Sequence, residues 1–140
     1  MRILLCALIC VLTGCSSFNK EWRAAAKAVP APNSIEGRWE GEWRSEQNGH
    51  HGMLRAVVTK ASTNTYRAHY KATYKSILHF SYVATLHGAE TNGVVTLEGD
   101  ADLGKLAGGV YTYKGTANSA KFESTYKSKY DHGQYEMNRP

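Results

Sequence analysis

Cysteine is nearly missing from this chain of 140 residues, and its placement is uneven: Cys6, Cys10 and Cys15 all lie within the first fifteen positions. Nothing after them can form a disulfide, so whatever folds downstream is held by its own core and not by the staples that small exported domains often carry. Long apolar runs are also scarce. Ile3 to Leu12 is too short to anchor across a bilayer, and behind Met1-Arg2 it reads as the core of a signal peptide over residues 1–14. Helical periodicity is absent after residue 30, which points away from helix bundles and from alternating α/β folds. Catalytic signatures are missing too. There is no nucleophile elbow or phosphate-cradling loop, and Ser81 and Ser124 lack evident His and acid partners. Glu40 and Glu42 alternate with Arg38 and Arg44, which makes a charge ladder on a wet strand face and not an acid/base pair. The expectation is a protein that is not an enzyme and needs no cofactor.

Leu12-Thr13-Gly14-Cys15 resembles the lipobox of bacterial lipoproteins. That resemblance implies cleavage before Cys15, diacylglycerol on its thiol, and a further acyl chain such as palmitate on the new amino group. Two or three chains hold a protein firmly on a membrane where one does not. Ser16 follows in place of the Asp that retains many lipoproteins at the inner membrane. The resemblance therefore implies a cell-envelope protein, in the outer membrane and facing the periplasm. An ordinary secretory signal is the plainer alternative. Loss of Arg2 takes the basic count from 17 to 16 against 12 acids. That mild surplus fits anionic envelope polymers or lipids and gives no nucleic-acid signature.

Residues 15–35 connect the lipid to the domain. Phe18, Trp22, Ala25, Ala26 and Val29 recur at helical spacing in an Ala-rich stretch, and Pro30-Ala31-Pro32 ends it. This segment is either a frayed tether or an amphipathic helix that plugs one end of the following domain with Phe18 and Trp22.

Residues 36–140 form the domain. In Gly37-Arg38-Trp39-Glu40-Gly41-Glu42-Trp43-Arg44 the aromatics share one parity and the charges the other, as a strand with one buried face requires. Asn48-Gly49 predicts a two-residue hairpin loop setting Trp43 opposite Leu54 and Trp39 opposite Val58, and Asn92-Gly93 predicts a second. Tyr66 to Tyr74 alternates cleanly with Arg67, His69, Lys71 and Lys75, and the next segment pairs Tyr82 with Tyr70. Eight short alternating strands follow one another. An open sheet of that kind would leave an apolar face uncovered and two raw edges, and closing the sheet removes both. The predicted fold is all-β: a single eight-stranded antiparallel up-and-down barrel preceded by a short N-terminal helix, with a β-sandwich as runner-up.

Gly37-Arg38-Trp39 also resembles the Gly-x-Trp of the calycin barrels, the lipocalin and fatty-acid-binding class. The resemblance implies that Trp39 closes the barrel base beneath a basic side chain from the end of the last strand, the place where Arg139 stands. The chain departs from lipocalins in its shortness and in lacking the second and third motifs, the disulfide and the C-terminal helix.

The inward positions are rich in tyrosine, and each buried hydroxyl needs a partner. Tyr66, Tyr70, Tyr82, Tyr111, Tyr113 and Tyr126 are the candidate ligand-binding residues, with Ser45, Gln47 and His50 as a polar mouth. Filling a tapering barrel is the plain alternative for the tyrosines. Metal binding is not expected. Asp100 and Asp102 open like a calcium loop, but Tyr111 stands where the closing Glu belongs. Two functions remain. One is a carrier or sensor for a small, partly apolar ligand inside the barrel. The other is a structural or interaction module that meets envelope polymers or a protein through its basic outer face.

Overall fold

A computed structural model describes residues 17–140. The proposed signal peptide and Cys15 lie outside the described residues. A helix, α1, runs over 17–26. Eight strands follow: β1 (Gly37–Ser45), β2 (His51–Ser62), β3 (Thr65–Tyr74), β4 (Leu78–Thr91), β5 (Val94–Asp102), β6 (Val110–Ala117), β7 (Lys121–Lys127) and β8 (His132–Asn138). Each pairs antiparallel with the next, and β8 returns to β1. The result is a closed up-and-down barrel and not a sandwich.

The side-chain alternation set out by the sequence holds along the strands. Trp39, Leu54, Ala56, Val58, Ala68, Tyr70, Leu86, Val95, Leu97, Phe122, Tyr135 and Met137 are buried in one core. Large and small residues interlock, as the taper of a small barrel demands. Gly41 illustrates why small residues fall on inward parity: a Cβ there would be driven into the backbone carbonyl of Glu136 on β8. The wall is bent too sharply at that point for any side chain.

The first hairpin differs from expectation. Trp43 faces Gly52 and Trp39 faces Ala56, a register two residues away from the predicted one. The loop is longer because Asn48 does not take the positive φ that a tight Asn-Gly turn requires; only Gly49 does. Instead the Ser45 hydroxyl accepts hydrogen bonds from the backbone N–H groups of Gln47 and Asn48, folding a wider turn over itself. A shift of two preserves which side chains point inward, so the core is unaffected. At Asn92-Gly93 both residues have positive φ, and Thr91 faces Val94 across the two-residue turn.

The two ends of the barrel differ. At the end that holds the turn between β2 and β3, Trp39 and Ile35 are buried, and Phe122 meets the Trp39 indole edge-on at 5.6 Å. The Trp39 indole donates to the Ile35 carbonyl at 2.9 Å. The Arg139 guanidinium carbon lies 3.9 Å above the indole ring. Its nitrogens donate to the carbonyls of Ser34, Glu36, Arg38 and Ser119, tying the strand-leading segment to the chain terminus.

Helix α1 does not plug an end. It lies against the outer wall of β1–β3, so the plugging alternative is corrected. Phe18 is fully buried between α1 and the wall, edge-on to His69 at 5.2 Å. Glu21 receives Arg67 at 3.1 Å and His69 Nδ1 at 3.0 Å, while His69 Nε2 meets the Ser81 hydroxyl at 2.8 Å, so Ser81 has the His and acid neighbours that the sequence did not reveal; Trp22 sits between Arg38 and Arg55. Burial pushes the Glu21 carboxyl up, but its hydrogen bonds and charge pairing with Arg67 and His69 outweigh that and hold it below the usual value. The outward strip Arg67, His69 and Lys71, expected to face solvent, is therefore largely roofed; Lys71 reaches Asn19 on the same helix.

Candidate ligand-binding site

The site arises where the barrel wall comes apart. β3 pairs with β4 along its whole length, from Thr65 opposite His87 to Tyr74 opposite Leu78. β5 meets β4 only from Thr85 to Thr91. The half of β4 from Leu78 to Ala84 thus has no ladder partner on that side. Past Asp102 the chain leaves the wall in the glycine-rich loop 103–109, with Lys105–Ala107 wound into a single 3₁₀ turn. Asp102 caps this loop by accepting from the Gly104 N–H at 2.9 Å, which accounts for the carboxylate that opened a calcium-like pattern. Gly108, at φ 99°, lets the loop close on Tyr111, whose hydroxyl a Cβ there would approach to 2.7 Å.

Between the splayed strands and this loop lies a cavity of about 360 Å³, open at the end of the barrel away from Trp39. Trp43, Tyr74, Phe80, Tyr82, Tyr111, Tyr113, Tyr126 and Tyr135 supply aromatic surface, and Leu54, Ala72, Leu78, Leu103 and Ala107 fill between them. Asp131 and His79 are the ionisable groups of the lining apart from the phenols.

The floor is a stack of tyrosines. Tyr70 lies parallel to Tyr82 at 5.1 Å and to Tyr113 at 6.1 Å, and the Tyr70 and Tyr135 hydroxyls share a hydrogen bond of 2.6 Å. Burial raises the Tyr70 and Tyr82 phenols well above their ordinary value, and lifts Tyr113 as well. Tyr135 is pushed up to about 12 by burial, against the opposing pull of hydrogen bonds from Tyr70 and Ser124. All four stay protonated at neutral pH and can both donate and accept. Tyr126 is different: among the described residues its buried hydroxyl makes no well-formed hydrogen bond, although Ser45 and Asp131 lie close to it. Nearby, the Ser45 hydroxyl donates to Asp131 Oδ1 at 2.5 Å, joining the first and last mouth loops.

Of the six tyrosines singled out by inward parity, Tyr82, Tyr111, Tyr113 and Tyr126 line the cavity. Tyr70 lies beneath it in the packed floor. Tyr66 is at the other end of β3, level with the closed base, where Lys60 stands 6.0 Å from its ring. Ser45 is buried at the mouth and the His50 ring lies tilted against Tyr74 at 5.0 Å, while Gln47 is exposed. Trp43, Phe80 and Asp131 were not singled out. Trp43 and Phe80 carried the right parity, and their nearness to the strand ends was the available signal; Asp131 sits in a loop where parity says nothing. The arrangement can grip a flat apolar body by stacking and direct a few hydrogen bonds at its polar atoms. Among the described residues no cluster of three His, Cys, Asp or Glu is placed to hold a metal.

No family model matches the chain, and no curated protein does. A solved structure does match. It is a de novo designed fluorescence-activating β-barrel, 15% identical, with a TM-score of 0.55 over 81% of this chain and 100% of that one. The likeness establishes a small eight-stranded antiparallel barrel and carries the fold alone.

Proposed function

We propose that this protein is a carrier or sensor for a small, partly apolar and flat ligand, held in the envelope by lipid on Cys15. The observation that supports it most is the aromatic cavity at the open end. Its volume of about 360 Å³ falls within the range of small-molecule sites. A barrel evolved only for stability would close that end as it closes the Trp39 end, since an unfilled apolar void costs stability. The Tyr126 hydroxyl, which makes no well-formed hydrogen bond among the described residues and lies close to Ser45 and Asp131, supports a ligand or water as a further partner. The lipobox resemblance and the run Ile3 to Leu12 support an outer-membrane lipoprotein facing the periplasm. The interaction-module alternative loses ground because α1 already occupies much of the basic strip it relied on.

The test is native mass spectrometry of the mature protein released gently from its own host, followed by titration with the apolar fluorophore N-phenyl-1-naphthylamine. The wild-type chain is expected to carry a small molecule or to bind the dye. Tyr113→Leu, which removes a lining phenol, should weaken binding by about tenfold, the cost of a lost buried hydrogen bond and stacking contact. An empty protein that leaves the dye dark would overturn the carrier reading.

A further inference from the structure

The mouth of the barrel carries more apolar side chains than the cavity uses: Ile77, Leu106, Val110 and Tyr130 lie outside its lining, whereas Leu78 and Phe80 belong to it. Ten large apolar residues are exposed among the described ones, and six of them (Ile77, Leu78, Phe80, Val110, Leu106 and Tyr130) stand at this end. Three are at loop tips. Ile77 is 76% exposed, Leu106 fully so, and Tyr130 68%. Each tip residue has a lysine one or two positions before it: Lys75 before Ile77, Lys105 before Leu106, Lys129 before Tyr130. The Lys129 ammonium lies 5.3 Å from the Tyr130 ring. The fourth loop of this end, over 46–50, has Glu46 and no large apolar residue. At the closed end the turns are Thr63-Asn64, Asn92-Gly93 and Asn118-Ser119-Ala120, and Val94 is the large apolar side chain exposed beside them. Val29 is exposed in the linker, and Met53 and Val83 on the wall.

The hairpin between β3 and β4 is bent to present its tip. Lys75 and Ser76 have φ of 53° and 61°, a left-handed conformation taken here without glycine. An apolar tip flanked by a lysine is the composition of a surface that inserts shallowly among lipid headgroups, the apolar group entering the acyl boundary and the ammonium staying at the phosphates.

A second and independent observation is the direction of α1. Phe18 and Asn19 contact β3 at His69 and Lys71; Glu21 contacts it at Arg67; and Pro30 abuts Gly37 and Arg139 at the closed base. The described chain therefore descends the wall from mid-barrel toward the closed end, with its first described residues on the mouth side of the later ones. Lys71 is three residues from Tyr74 at the top of β3, about 10 Å at the rise of a strand. Residue 15 is three residues before Phe18, a reach of about 10 Å of extended chain. A lipid on residue 15, as proposed, would be tethered within about 10 Å of Phe18, beside the middle of the wall and short of the closed base.

We infer that the open end of the barrel docks onto an anionic lipid bilayer through Ile77, Leu106 and Tyr130 with their neighbouring lysines, so that the cavity opens against the membrane surface. The docking rests on the rim and on the course of α1. Its use for passing a ligand between bilayer and barrel rests in addition on the carrier reading.

Hydrogen exchange read by mass spectrometry on the full mature chain tests it, with vesicles of phosphatidylcholine and phosphatidylglycerol against vesicles of phosphatidylcholine alone. On the anionic vesicles, exchange at loops 75–77, 105–109 and 128–131 should slow by about tenfold, and the turns at 63–64, 92–93 and 118–120 should be unchanged. Added salt should weaken the effect. The triple variant Ile77→Ser, Leu106→Ser, Tyr130→Ser alters exposed side chains only; it should keep its thermal midpoint and lose the protection. Slowing at the closed-end turns, equal slowing at both ends, or none at either would overturn the inference. The intact mass reports the acyl groups separately: a chain without them that still shows the rim pattern keeps the docking and loses the anchor. An empty cavity with the rim pattern intact would sink the carrier and not the docking.

Discussion

Arg139 shows how much one side chain can carry in a domain without disulfides. It covers the Trp39 indole and donates to four backbone carbonyls that belong to two separate stretches of chain, 34–38 and Ser119. A guanidinium can do this because its donors are fixed in a plane, and lysine cannot. Arg139→Met keeps the apolar stem and should cost about 2–4 kcal/mol, the sum expected for several charge-assisted hydrogen bonds and a cation–π contact, measured by urea unfolding. Arg139→Lys should recover little of it. This contact was expected through the calycin resemblance of Gly37-Arg38-Trp39, with Arg139 at the matching place on the inward parity of the last strand. The division of the tyrosines was not. Tyr66, Tyr70 and Tyr82 share a parity pattern, yet one lies at the base, one in the floor and one on the cavity wall, since parity records which face a residue points to and not its height in the barrel.

Helix α1 is the element whose role the alternation could not reveal. Its apolar spacing through Phe18, Trp22 and Ala25 was plain, but a helix can cover an end or a wall with the same stripe. The wall won because β3 offers Arg67 and His69 to Glu21, and Arg38 and Arg55 offer their guanidinium groups to Trp22. Neither set is on the inward face that an end plug would touch. Phe18→Ala should destabilise the protein by about 3–5 kcal/mol, as truncation of a fully buried aromatic does, and should release 17–26 to rapid hydrogen exchange while the strands stay protected. Retained protection over 17–26 would show that the Glu21 contacts alone hold the helix.

At the scale of the whole molecule, the shared interior of phenols couples the fold to alkaline pH. Burial raises Tyr70, Tyr82, Tyr113, Tyr126 and Tyr135, the last to about 12. The unfolded chain gives up these protons near pH 10. The folded barrel keeps them, so above that point the unfolded state binds fewer protons and stability falls as pH rises. Thermal midpoints should be level through neutral pH and decline steeply between about 10 and 12, with phenolate absorbance appearing in step with unfolding. Tyr113→Phe should soften the decline. Ionisation of the Tyr70, Tyr82, Tyr113 and Tyr135 phenols without loss of structure would mean that water reaches the stack.

The sequence by itself determined the strand count, the alternation, the closed antiparallel barrel and the pairing of Tyr70 with Tyr82, because side-chain direction in a strand reverses at every residue and needs no partner to define it. It also carried, through residues 12–15, the expectation of a lipid anchor. Only the tertiary structure decided where the wall splays between β4 and β5, which inward aromatics border the void, and that α1 lies on the outside. Those features depend on how far each strand is staggered against its neighbours and on contacts between residues distant in the chain. The first hairpin makes the distinction concrete: its register moved by two residues, which altered every cross-strand neighbour and left every face as the alternation had it.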